Sequence, residues 1–369
     1  MTATPLGDIL ARRIAAQGPM RLDHYMAECL LHPEHGYYAT RDPFGRGGDF
    51  ITAPEISQMF GEVLALSLAQ AWHDQGQPER IILAEPGPGR GTLMADILRT
   101  IAAVPAMARA VEVHLVEASP VLRQMQQRLI APLADRVPGA GAVQWHTTLD
   151  DLPADGPLYL VANEFFDALP IRQMERRGTA WAERQVGLVD GELAAGCAPA
   201  APYSALSNRL MDTVEGDVVE LCPQAGPAAG AIASRIAAAG GVAMILDYGG
   251  WHGVGDTLQA LRDHKTVDPF ACPGDADLTA HVDFEPLARA ARAAGCATTA
   301  LVGQGVVLER LGITARAQTL AARLHGEALE NHIAAHRRLT HPEEMGHLFK
   351  ALAFYPNGAV CPGGFEPAP

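Results

Sequence analysis

The sequence predicts an α/β protein built on a mostly parallel sheet, and three observations carry that prediction. From residue 80 onward, short β-rich runs at 81–85, 113–117, 143–145 and 158–162 alternate with stretches whose apolar residues recur at helical spacing, such as Leu93, Ile97, Leu98 and Ile101; this is the rhythm of βαβ units. The first run ends in a glycine-rich turn that opens a helix, the grammar of a buried strand handing over to a crossover. The chain has 369 residues, 48 % of them hydrophobic and 19 % charged, which suits about two domains or one large domain with insertions and does not suit a disordered chain.

Taken in order, Leu6, Ile9, Leu10 and Ile14 behind Thr4-Pro5 predict a first helix over 4–17, with a cap and a proline at its first turn. Leu22, Tyr25, Met26, Cys29 and Leu30 mark a second apolar face, and Ile56, Met59, Phe60, Val63, Leu64, Leu68 and Trp72 a third, at steps of three and four. Between them lies a long loop rich in glycine, proline and aromatics. Residues 171–175, 181–189 and 192–194 read as a small β meander with Asp190-Gly191 as a turn. The stretch 196–240, rich in Ala, Gly and Pro, carries little signal. Sheet grammar resumes at 242–248 and continues through 298–302, 306–311, a helical segment near 314–338, and 349–354. The expected organisation is 1–75 as an N-terminal helical extension with a lid loop, 76–170 as the first part of the core, 171–240 as an inserted meander and helical region, and 241–369 as the remainder of the core.

Charge and composition narrow the partners. Twenty-eight basic against 42 acidic residues leave a net charge of −14, so a basic face for nucleic-acid phosphates is not expected. No apolar run approaches the roughly 18–20 residues of a membrane span, and no apolar core of a signal peptide opens the chain. The six cysteines include no C-x-x-C pair, as in a reducing compartment; bacterial cytoplasm is the expected location. His332 and His336 are one helical turn apart, but with no H-E-x-x-H and no paired cysteines they read as a solvated helix face, and no metal is expected.

The chemistry-bearing motifs sit at strand ends. Glu85-Pro86-Gly87-Pro88-Gly89-Arg90-Gly91-Thr92-Leu93 joins the first core strand to its helix. Glycines let such a turn bend sharply and approach a ligand. The dinucleotide fingerprint needs its third glycine where Thr92 stands, which argues against a nicotinamide enzyme. Glu117 ends the second strand, 26 residues after Gly91, where a carboxylate can accept from a ribose diol. Trp145 ends the third strand, where it would lie beside an adenine ring or serve as core. Asn163-Glu164-Phe165-Phe166-Asp167 ends the fourth and Asp247-Tyr248-Gly249-Gly250 the fifth.

The E-x-G-x-G-x-G pattern resembles the first motif of Class I S-adenosylmethionine-dependent methyltransferases. Together with Arg21-Leu22-Asp23-His24-Tyr25-Met26, His32-Pro33-Glu34-His35-Gly36-Tyr37-Tyr38, Gly48-Asp49-Phe50-Ile51-Thr52-Ala53-Pro54-Glu55, Asn163-Glu164-Phe165-Phe166-Asp167-Ala168-Leu169-Pro170, Asp247-Tyr248-Gly249 and Asp277-Leu278-Thr279-Ala280-His281-Val282-Asp283-Phe284, nearly the whole chain resembles the MidA-type protein arginine methyltransferases, which include a mitochondrial complex I assembly factor. Ala84 stands where that family often carries leucine, a matter of packing.

The resemblance implies a Class I methyltransferase, Rossmann-like, mostly parallel seven-stranded sheet with an N-terminal helical extension and an inserted β meander and helical region. It implies S-adenosyl-L-methionine as cofactor, and symmetric dimethylation of an arginine in a respiratory complex I subunit; a homodimer stays open. On this reading Gly48, Asp49, Thr52, Glu85, Gly87, Gly89, Gly91, Thr92, Glu117, Ala118, Trp145 and Asn163 bind cofactor, the first three from a lid. Glu164 leads the candidates for orienting the guanidinium, with Asp167, Asp247, His281 and Asp283 behind it. A methyltransferase acting on another substrate and a non-catalytic assembly module retaining the fold are the alternatives.

Overall fold

A computed structural model describes residues 4–40 and 52–369, in two units. The first comprises residues 52–166, Gly226–Gly249 and Phe284–Pro369; the second comprises residues 4–40, Asp167–Ala225 and Gly250–Asp283.

The first unit is built on seven strands: β1 (Ile81–Pro86), β2 (Val111–Val116), β3 (Gln144–His146), β4 (Leu158–Asn163), β5 (Gly241–Gly250), β6 (Cys296–Thr298) and β7 (Phe349–Pro356), in the spatial order β6-β7-β5-β4-β1-β2-β3. β1 pairs parallel with β2 and β4, β2 with β3, and β4 with β5, while β7 runs antiparallel to β5 and β6. This is the Class I methyltransferase arrangement. β1, β4 and most of β5 are buried throughout, as strands covered by helices on both faces must be. The Thr92–Ile101 helix buries Leu93, Met94, Ile97, Leu98 and Ile101 in one core with Phe60, Val63, Leu64 and Leu68 of the Gln58–Asp74 helix. The chain fills β1, β2 and β3 outward on one side and then crosses back to β4 on the other. The order therefore reverses at the carboxyl ends of β1 and β4, where open α/β sheets bind ligands.

In the second unit the helix Pro5–Gln17 starts as its sequence predicts: Pro5 occupies the first turn and Thr4 Oγ1 accepts from the Gly7 amide at 3.1 Å. Its buried Leu6, Leu10 and Ile14 share a core with Tyr25, Met26 and Cys29 of the Leu22–Leu31 helix and with Ile171, Val186, Leu193, Ala260 and Leu278. The meander is Arg172–Arg177, Ala180–Val189 and Glu192–Cys197, extended by Met20–Arg21 on one side and Val218–Leu221 on the other. Asp190 and Gly191, at φ 52° and 84°, form the two-residue turn whose twist matches a hairpin. A separate three-stranded sheet joins Lys265–Val267, Gln259–Arg262 and Asp277–Thr279.

Three expectations change. Residues 306–311 are not a strand: Gln304–Arg310 is a helix that buries Val307 and Leu308 and leaves Val306 46 % exposed. A short apolar run has no period to distinguish the two, and the strand content there is the two-residue Val302–Gly303 beside β7. The helical segment near 314–338 is two helices, Ile313–Ala321 and Glu327–Thr340, broken at Gly326 with φ 55°. The weakly patterned 196–240 contains the helix Ala225–Ala239; alanine favours helix but supplies few long side chains to draw a stripe. Among the described residues no helix is long and apolar enough to cross a membrane.

One polar pair lies between β2 and β3. His114, fully buried, places Nδ1 2.9 Å from Nε2 of His146, with the rings stacked. Burial, with His146 adding to it, pushes His114 down to about 4, so the folded state holds it neutral while the unfolded chain protonates near 6.5. The stabilising contribution is therefore complete above 6.5 and is lost as pH falls toward 4. Denaturant titrations across that window should show wild type losing about 3 kcal/mol more stability than His114→Leu; parallel curves would remove the pair from the acid response.

Candidate active site

The turn after β1 sets the geometry. Gly87 (φ 61°) donates its amide to the Val116 carbonyl at 2.9 Å, and Gly91 (φ 87°) donates to Pro88 at 2.7 Å. A Cβ on Gly87 would stand 3.2 Å from Phe165 Cδ2, and one on Gly91 2.9 Å from Ile130 Cδ1. Positive φ and close neighbours together exclude side chains at both positions. The Thr92 hydroxyl donates to the Glu55 carboxylate, tying the turn to the short helix Ala53–Ile56, which Thr52 precedes. Glu85 is buried beneath the turn. Burial pushes it up to about 8, with Asp96 adding to the shift and a bond to the Met94 backbone opposing it.

At the end of β2, Glu117 is buried and its pKa is raised by that burial; hydrogen bonds from Ser119 and Gln126 work against the shift. Its Oε1 accepts from the Ser119 amide at 2.8 Å and its Oε2 from Gln126 Nε2 at 3.1 Å. Ala118 is exposed beside it. Arg123 donates to the Glu117 carbonyl at 2.6 Å and to the His146 carbonyl at 2.8 Å, clamping the exits of β2 and β3 together. Trp145 on β3 donates its indole N–H to Gln126 Oε1 at 2.9 Å.

At the end of β4, Glu164 has φ 50°, an uncommon conformation for a residue with a side chain and a strained one. Its amide donates to the Leu246 carbonyl at 3.0 Å, and its Oε1 accepts from Asn163 Nδ2 at 3.1 Å and from the Ala53 amide at 3.4 Å. Burial raises its pKa, with Asn163, Ala53 and Arg338 opposing. Asp247 on β5 is fully buried; its Oδ2 accepts from the Phe166 amide at 3.0 Å and its Oδ1 from the Tyr248 amide at 2.9 Å. It shapes the exit of β4.

Thus Thr52, Glu85, Gly87, Gly89, Gly91, Thr92, Glu117, Ala118, Trp145, Asn163, Glu164 and Asp247 all belong to the first unit, most of them at strand ends or in the turns that follow. Asp167, His281 and Asp283 belong to the second. There the Asp167 carbonyl accepts from the Ala280 amide at 3.0 Å, and the His281 amide donates to Thr257 Oγ1 at 2.8 Å. Gly48 and Asp49 lie outside the described residues. His332 and His336 use their ring nitrogens locally, 2.9 Å from the Ala317 carbonyl and 2.9 Å from Thr314 Oγ1. The residue that motif reading missed is Gln126. Its signal was present as a polar side chain four residues after Leu122 and four before Ile130, all buried on one face of the Pro120–Ala134 helix.

Among the described residues, the buried atoms without a hydrogen-bond partner include Glu85 Oε2 and Asn163 Oδ1 at this edge. Buried polar atoms are rarely left so. Acceptors at the ends of β1 and β4 suit a ligand that carries positive charge and hydrogen-bond donors, and a cation beside Glu85 would favour its ionised form. Asp247→Ala should lower stability by about 1–3 kcal/mol for each of the two stranded backbone donors, measured by denaturant titration; a loss of turnover at unchanged stability would instead make Asp247 a participant in the chemistry.

Comparison with known proteins agrees with this geometry. Residues 63–302 match the model of a family described as S-adenosyl-L-methionine-dependent methyltransferases. The human protein arginine methyltransferase NDUFAF7, mitochondrial, is 34 % identical over 98 % of this chain and 86 % of that protein; the Drosophila melanogaster homolog is 35 % identical over 94 % and 84 %. A Burkholderia thailandensis protein crystallised with S-adenosyl-homocysteine superposes with a TM-score of 0.82 at 30 % identity, covering 97 % of this chain and 93 % of that one. S-adenosyl-L-methionine is the cofactor that the family and the acceptor-lined strand ends both fit. On a family match over more than half its length and relatives aligned nearly end to end, this chain belongs to the S-adenosyl-L-methionine-dependent methyltransferases.

Proposed function

We propose that the enzyme methylates an arginine of a protein substrate, by symmetric dimethylation in a respiratory complex I subunit during that complex's assembly. Two things support the arginine assignment: the relatives named above are arginine methyltransferases, and Glu164 is a half-buried carboxyl group pinned by Asn163 and Ala53 at the end of β4. The second is the observation that carries the reading.

The bound cofactor supplies a methyl carbon on a cationic sulfur. The residues proposed to hold it are Glu117 and Trp145 at the adenosine part, and the backbone from Gly87 to Gly91 with Glu85 and Asn163 at the methionine part. The chain's own task is orientation. A guanidinium has a pKa above 12 and spreads its charge over three nitrogens. A fixed carboxylate draws that charge to one side and fixes which nitrogen faces the methyl donor, so that much of the barrier is met by placement. Glu164 has few rotamers left to it, since two donors share its Oε1. Its raised pKa also makes it the better acceptor for the proton that the methylated nitrogen sheds. Asp167, His281 and Asp283 are assigned to the substrate side from the motifs that carry them, and residues 171–240 to partner contact. All six cysteines are free thiols, consistent with the reducing bacterial cytoplasm assigned here.

Mass spectrometry of a candidate subunit incubated with enzyme and labelled cofactor should place the label on arginine; label on another side chain overturns the substrate assignment. Glu164→Gln should lower kcat about 10²–10³-fold, the cost of removing one preorganised electrostatic contact, with cofactor Kd unchanged. The wild-type rate should climb with pH through a carboxyl titration above the ordinary range, and that limb should vanish in the variant. Gly87→Val should abolish cofactor binding in calorimetry, because its side chain meets Phe165 and its left-handed φ costs about 1–3 kcal/mol.

A further inference from the structure

We propose that Gln126 is the positioning residue of the cofactor site: one buried amide that aims Glu117 and fixes both the glycine-rich turn and Trp145. The inference rests on the reading of Glu117 as the acceptor for the ribose diol. Gln126 is fully buried on the Pro120–Ala134 helix. Its Nε2 donates to the Gly89 carbonyl at 2.7 Å and to Glu117 Oε2 at 3.1 Å, while its Oε1 accepts from Trp145 Nε1 at 2.9 Å. Both amide protons are used, and the amide has one allowed orientation. Turned over, its oxygen would face a carbonyl and a carboxylate, and its NH2 would face an indole N–H.

The position has no need of an amide for packing. Leu122 and Ile130 flank it on the same buried face, and an apolar side chain would fill that volume without the cost of burying a polar group. What the amide adds is direction. With Ser119 holding Oε1 and Gln126 holding Oε2, the Glu117 carboxyl plane is set from both sides, and its remaining lone pairs point along fixed lines. The same bond favours the ionised form of the carboxyl and works against the upward shift that burial imposes on it. Gln126 thus links the ends of three neighbouring strands: β1 through Gly89, β2 through Glu117 and β3 through Trp145.

The test is calorimetric titration of the purified full chain with S-adenosyl-homocysteine and with its analogue lacking the ribose 2′-hydroxyl. Gln126→Met is the apolar variant of nearly equal shape, and Gln126→Glu keeps the acceptor for Trp145 while losing both donors. Wild type should prefer the hydroxylated ligand. In Gln126→Met that preference should collapse, with affinity for S-adenosyl-homocysteine down about ten- to a hundred-fold, as for lost hydrogen bonds to a charged group. In Gln126→Glu the loss should be large near pH ~8.5 and smaller near pH ~6, because the introduced carboxyl, once protonated, again donates a hydrogen bond to Glu117. Thermal melts report folding of each variant independently of binding. The proposal is overturned if either folded variant binds both ligands with wild-type affinity and preference, or if Gln126→Met weakens both ligands equally, which is a packing role. Glu117→Gln separates the two readings. If it keeps wild-type preference, the ribose assignment itself fails; if it loses that preference while the Gln126 variants keep it, only the positioning role fails.

Discussion

Strand β1 is buried from Ile81 to Pro86, and the helix that begins at Thr92 buries Leu93, Met94 and Ile97. Between them the chain must reverse from one buried element to another in five residues. Those residues cannot carry bulk where Phe165 and Ile130 close on the turn, so the turn brings its own backbone to the carboxyl edge of the sheet and donates to Val116 on the neighbouring strand. The rest of the site is arranged around that backbone. Gln126 reads the Gly89 carbonyl, Thr92 reaches Glu55, and the exits of β2 and β4 are tied to the exits of β3 and β5 through the Glu117 amide and the Glu164 amide.

The same region concentrates carboxyl groups that are buried or half-buried. Glu85, Asp96, Glu117 and Glu164 are all raised, each chiefly by burial. A protein gains nothing in stability from burying acids without cations, since their desolvation opposes folding. Arg99 pairs directly with Asp96; the other three are hydrogen-bonded to amides and backbone N–H groups, with Arg123 and Arg338 acting on the Glu117 and Glu164 carboxyl groups only through their charge. Desolvation of such a cluster opposes folding, the hydrogen bonds and arginines offset part of it, and added positive charge would offset more. Carboxyl groups so placed fit the positive charge of S-adenosyl-L-methionine, a feature more specific than the overall charge of −14, which many enzymes share.

How much of this was legible depended on whether a residue's role is local. The turn, Glu85 and Glu117 were readable because strand, glycines and helix are contiguous in sequence, and the meander because Asp190-Gly191 demands a hairpin. Residues 306–311 misled because three apolar side chains in a row fit a strand and a buried helix equally; only the packing of Val307 and Leu308 decides. The buried contacts of Gln126 were not legible because a glutamine within a helix ordinarily faces water. Its meaning lies in Gly89, Glu117 and Trp145, none nearer than nine residues along the chain. Asp247 stands out in the sequence as an acid near the end of a strand, yet its two oxygens accept from backbone amides, which no spacing rule would reveal.

The path of the chain explains why the candidate residues divide as they do. The second unit takes its middle and last segments from the exits of β4 and β5: it enters at Asp167, three residues after Glu164, and again at Gly250, the last residue of β5. Both departures are at carboxyl ends, the edge that bears the glycine-rich turn. Here Glu164 and Asp167 share one turn of chain, and Asp247 anchors that turn by holding the Phe166 amide. The backbone at Phe166 is therefore held by a fully buried carboxyl group. This gives Asp247 a reason to carry a hydrogen-bond acceptor in a place where an apolar residue would pack at lower cost.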